Sequence, residues 1–77
     1  MNAARRKRLA EAFDLIASAK EIIEEVMEEE QEAFDNMPES IQGSERGEEM
    51  EGFIGDLENV ADDLDNISDI VGEVAGI

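Results

Sequence analysis

The reactive groups of this 77-residue chain are almost all carboxylates, with 22 Asp and Glu set against six Lys and Arg and no His or Cys. Their spacing excludes most of the chemistry that carboxylates perform. Nucleophilic dyads need His, Cys or a Lys activated by burial, and Lys20 has no companion for that work. Bundles that bridge two metals through carboxylates use Glu-x-x-His pairs, which a chain without histidine does not supply. Asp63-Leu64-Asp65 opens like a calcium loop. That register would require Gly at Ser68 and Glu at Val74, and the apolar period runs straight through both. Acid–base pairs need a sheltered cleft, and two thin helices offer none. The expectation is therefore a non-enzymatic protein with no cofactor and no metal.

What the carboxylates can do is present charge. The formal net charge is −16. Four of the six basic residues are Arg5, Arg6, Lys7 and Arg8, so the chain from Leu9 onward sets 22 acids against Lys20 and Arg46 alone, a charge of −20. Such a body repels nucleic acid and anionic membranes and attracts basic protein surfaces. Glu24, Glu25, Glu28, Glu29 and Glu32 form the densest group, and Asp62, Asp63 and Asp65 a second. These eight are the candidate partner-binding residues. Like charges at i,i+4, such as Glu24/Glu28 and Glu25/Glu29, each cost about 0.2–0.5 kcal/mol, and no lysines alternate with them. Between Glu45 and Glu73, eleven carboxylates decorate about 43 Å of helix. That is one per roughly 4 Å, against ~3.4 Å per phosphate along a DNA strand. Charge kept for solubility alone is the bland alternative, and both readings stay open at this point.

The elements that must position these groups are two helices and one turn. Leu9, Phe13, Ile16, Lys20, Ile23, Met27, Glu30 and Phe34 alternate spacings of four and three, a heptad seam with two polar breaks. Ala12, Leu15, Ala19, Ile22, Val26 and Ala33 make a second apolar row beside it. In the other half, Met50, Ile54, Leu57, Ala61, Leu64, Ser68, Val71 and Ala75 form the seam, flanked by Phe53, Val60, Ile67 and Val74. Both faces are broad enough for a bundle helix. Asn36, Pro38, Gly43 and Ser44 interrupt the pattern between them. The fold class is therefore all-α: one domain over 1–77, with a helix over about 3–35, a turn over 36–44 containing a short helical turn with Ile41 over the end of the core, and a helix over about 45–74.

An antiparallel hairpin pivoting near Ser40 pairs residue numbers that sum to about 80. Phe13 then meets Ile67, Ile16 meets Leu64, Ile23 meets Leu57 and Met27 meets Phe53. Phe13, Ile16, Ile23, Met27, Phe53, Leu57, Leu64 and Val71 are expected to form the core and to mediate self-association into a four-helix bundle, at least a homodimer, because a lone hairpin of this size is marginal. Lys20 is expected to lay its stem on the seam and reach a carboxylate. Arg5–Arg8 are expected beside the C-terminal end of the second helix, near Asp69 and Glu73. Among the glycines of the second helix, Gly55 reads as a close-approach point and Gly47, Gly52 and Gly72 as exposed softness. Arg5–Arg8 before Leu9-Ala10 imitate a signal peptide, but Glu11 and Asp14 interrupt what would be its apolar core, so secretion is not expected. No apolar run approaches the ~20 residues that span a bilayer.

The stretch Glu29-Glu30-Gln31-Glu32-Ala33-Phe34-Asp35-Asn36-Met37-Pro38-Glu39-Ser40-Ile41-Gln42-Gly43-Ser44-Glu45-Arg46-Gly47, with the start Asn2-Ala3-Ala4-Arg5-Arg6, resembles a group of small acidic proteins of bacteriophages and prophages. The resemblance covers most of the chain and carries no catalytic motif. It implies a setting inside a bacterial cell, hence a cytoplasmic location. There, an acidic surface would bind and inhibit a basic nuclease, or another nucleic-acid-binding or defence protein, without touching nucleic acid or membrane itself.

Overall fold

The computed structural model describes all 77 residues as two long helices, α1 (Ala3–Asp35) and α3 (Glu45–Ala75), joined through one turn of helix, α2 (Glu39–Gln42). The long helices pack against each other as an antiparallel hairpin, 58 Å long and 14 Å by 13 Å across.

Each helix end is closed by a residue suited to it. The Asn2 side chain accepts a hydrogen bond from the Arg5 backbone N–H at 2.8 Å, which satisfies one of the unpaired donors of the first turn of α1. Ser44 does the same for α3 by accepting from Gly47 N–H, while its hydroxyl donates to the carbonyl of Ile41. At the far end, Gly76 adopts φ 81°, the only positive φ in the chain. Ile77 N–H then bonds Gly72 C=O and Gly76 N–H bonds Glu73 C=O, the paired pattern of a left-handed glycine stop. Gly43, by contrast, sits at φ −82° and uses none of its left-handed freedom.

The turn is held by contacts that the sequence reading did not assign. Gln42 Nε2 donates at 2.9 Å to the carbonyl of Phe34 near the end of α1, which also accepts from Met37 N–H at 3.0 Å. Ile41 remains 40% exposed and does not close the core. Gly47 is buried where α2 crosses the first turn of α3, and a Cβ there would lie 2.1 Å from the Gln42 carbonyl oxygen and 2.7 Å from that of Ile41. Only a residue without a side chain fits. Gly72 is also buried, against the Phe13 ring, with a Cβ position 3.1 Å from its Cε2. Gly55 has nothing within 4 Å of its Cβ position, so the close-approach glycines are Gly47 and Gly72.

Because α2 lies over the first turn of α3, α3 overhangs the end of α1 and shifts the pairing. Phe13 meets Gly72 and Lys20 meets Asp65, residue numbers that sum to about 85 rather than about 80. The expected register is thus displaced by about one helical turn: Phe13 lies level with Val71, Ile16 with Ser68, Ile23 with Ala61 and Met27 with Leu57. The seams themselves are the expected ones, since every seam residue of both helices is half-buried or buried.

These contacts predict opposite effects for two helical glycines. Gly47→Ala forces backbone against backbone and should cost about 1–3 kcal/mol. Gly52→Ala, with open space around its Cβ, should gain about 1 kcal/mol in helix propensity. Thermal unfolding followed by circular dichroism reads both, and equal melting temperatures for the two variants would contradict the packing of α2 on α3.

Candidate interaction faces

With the seam residues as heptad positions a and d, the hairpin has two distinct sides. In an antiparallel pair the g positions of both helices share one side and the e positions share the other. Ala33 and Phe53, both at g, line the same shallow groove together with Glu30 and Met50, which fixes the g side. Lys20 and Asp65, reaching across the seam further toward the open end, fix the e side.

The g side is apolar and uncovered. Ala12, Ala19, Val26 and Ala33 from α1 run beside Phe53, Val60, Ile67 and Val74 from α3. Leu15, Ile22 and Ile70 extend the stripe at its edges. Phe53 is 56% exposed, Ile22 60% and Leu15 71%. The whole chain buries one hydrophobic residue, Ala61. Of the eight residues expected to form the core and mediate self-association, Phe13, Ile16, Ile23, Met27, Leu57, Leu64 and Val71 are half-buried along the intramolecular seam. Phe53 alone stands on the free side. The surface left open is the flanking row, because a hairpin has only one seam.

The e side is acidic. Lys20 donates to Asp65 Oδ1 at 2.5 Å and lies 3.8 Å from Glu24 one turn along its own helix. The expected stem-on-seam lysine is found, with Asp65 as its carboxylate. The hydrogen bond to Asp65 raises the lysine pKa above its ordinary 10.5; partial burial works against this, and the charges of Asp65, Glu24 and Asp62 add to the rise. Of the eight candidate acids, Glu24, Asp62 and Asp65 thus gather around one ammonium. Glu25, Glu28 and Glu32 spread over the outer surface of α1, while Glu29 and Asp63 border the apolar side. All eight are exposed. At the open end of the hairpin, the Arg6 guanidinium lies 3.7 Å from where a Cβ on Gly76 would sit, beside the closing turn of α3. The structure contains no ion pair from Arg5–Arg8 to Asp69 or Glu73; its two ion pairs both belong to Lys20.

No family model, curated protein or solved structure matches the chain. The two faces therefore rest on the chain's own geometry, and the phage resemblance stands as an expectation. No helix is long and apolar enough to cross a membrane.

Lys20 gives a pH signature. Its folded-state pKa is raised, so its contribution to stability is complete below the ordinary lysine value of 10.5 and is lost as pH climbs through the raised value. The chain has no Tyr or Cys to confuse the reading, and Lys7 is common to both proteins compared. The melting temperature of the parent chain should therefore fall more steeply above pH 10.5 than that of Lys20→Met. Parallel curves would mean that the Lys20–Asp65 contact contributes nothing.

Proposed function

We propose that this chain is a non-enzymatic binding protein whose acidic side engages and blocks a basic nucleic-acid-binding or defence protein, in the phage or prophage setting that its resemblance implies. The observation that carries the reading is the sorting of charge by the hairpin. Asp14, Glu21, Glu24, Glu28 and Asp35 of α1 and Glu48, Glu51, Glu58, Asp62, Asp65 and Asp69 of α3 share the e side and its outer edge, and all are exposed. Eleven carboxylates over a 58 Å axis make one per roughly 5 Å, approaching the ~3.4 Å phosphate spacing of a DNA strand. Against them that side carries only Lys20, already paired, and Lys7 near the open end. A Lys- and Arg-lined channel would exchange its counterions for this surface, and binding would weaken steeply with salt.

A second reading, a homo-oligomeric structural or adaptor module whose charge serves solubility, is favoured by the uncovered apolar side. A four-helix bundle of two hairpins would cover that side and leave both acidic sides facing solvent. The two readings are compatible in one molecule.

The acidic-face reading is tested by neutralising Glu21, Glu28, Glu51 and Glu58 to Gln, leaving Glu24 and Asp65 to Lys20. Competition with a short DNA duplex for a panel of basic nucleases reads the effect. The parent should displace DNA. The variant should bind at least about tenfold more weakly and with a shallower salt dependence. Its melting temperature should hold or rise, since the i,i+4 repulsions Glu21/Glu25, Glu24/Glu28, Glu28/Glu32 and Glu58/Asp62, of about 0.2–0.5 kcal/mol each, are relieved. Undiminished competition by the variant would remove charge mimicry from consideration.

A further inference from the structure

The uncovered apolar side has a definite occupant once area and charge are considered together. The chain exposes 5711 Å², whereas a compact monomer of 8.5 kDa exposes about 4,700 Å². The excess is on the order of 1,000 Å². The stripe runs the length of the paired helices, about 46 Å at 1.5 Å per residue, and spans the 14 Å width of the hairpin. Its footprint is roughly 650 Å², close to the ~800 Å² that each partner contributes to a standard interface and above the ~300–600 Å² of an ordinary surface patch.

The ends of the hairpin differ sharply in charge. The open half, residues 1–21 with 63–77, holds five basic and seven acidic residues, a net −2. The turn half, residues 22–62, holds Arg46 against fifteen acids, a net −14. A second copy laid on the stripe with like ends together would stack one −14 half on another. Reversed, each −14 half lies along a −2 half, and Arg5 and Arg8, which border the stripe, approach the partner's Glu29–Asp35 segment. An acidic partner would be repelled by the turn half. A basic partner has the e side, where charge is not interleaved with apolar side chains.

From this we infer that the g side is an interface with a second copy of this chain, packed head to tail about a two-fold axis across the middle of the stripe. α1 then faces α1 of the partner, α3 faces α3, and all adjacent helices are antiparallel, the arrangement of a closed bundle. The inference deepens the self-association proposed above and adds its face and direction.

Sedimentation across micromolar concentrations and directed cross-linking separate these layers. The chain has no cysteine, so introduced thiols are unique. Ala12 and Ala33 are mild sites for replacement. Head-to-tail packing places Ala12 of one copy within about one helical turn, ~5 Å along the axis, of Ala33 of the other. A short thiol cross-linker should join A12C to A33C chains in a mixture and should not join A33C chains to one another. Self-linking of A33C as fast as mixed linking would overturn the head-to-tail direction while leaving self-association standing. A folded monomer at every concentration would overturn both. V60D, at the centre of the stripe, should weaken the dimer by at least about tenfold, with monomer helicity intact. Because two anionic chains approach each other, dimerisation should tighten as salt rises, the reverse of binding to a basic protein. If salt weakens the dimer, its charge logic is wrong.

Discussion

A pair of helices has one seam, and this chain carries two apolar rows on each helix. Everything else in the structure follows from that mismatch. Seam residues from Leu9 to Phe34 and from Met50 to Ala75 pack on each other and are half-buried at best, apart from Ala61. The row beside them stays in solvent. Hydrophobic burial inside one chain therefore covers about half of what the sequence prepares, in a fold whose size already leaves little margin.

The remaining surface is divided into two unlike sides. Lys20 marks the boundary. It sits on the seam, donates to Asp65 across it, and turns its ammonium toward the side where carboxylates are densest. The opposite side keeps its apolar row free of acids except at the borders, Glu29, Glu49, Asp56 and Asp63. Along the axis the charge is also uneven, with the basic N-terminal turn at the open end and the acidic run Glu28–Glu32 near the turn. An amphipathic hairpin with a charge gradient along its length would assemble, as proposed above, with a preferred direction.

Much of this was legible from residue order. Asn2, Asn36 with Pro38, and Ser44 mark helix ends through local capping chemistry, which depends on a few neighbouring residues. Alternate spacings of three and four mark the seams, since the period of a helix decides which residues share a face. What escaped depends on contacts between distant segments. Gly47 and Gly55 look alike in a helical pattern, and only the crossing of α2 over α3 makes the first indispensable to the turn. The register slipped by a turn for the same reason, because α2 occupies the space where α3 would otherwise have met the end of α1. The same shift moves Phe53: the symmetric pivot sets its ring opposite Met27, and in the structure it stands on the open flank.

The central claim is that the hairpin is half of a larger apolar core. Thermal unfolding at protein concentrations from about 1 to 300 µM tests it directly, because assembly stabilises the folded state by mass action. The account predicts a melting temperature that climbs steadily with concentration and a single cooperative transition at the upper end. A melting temperature independent of concentration over that range would show that the two-helix seam suffices alone, and would contradict the account.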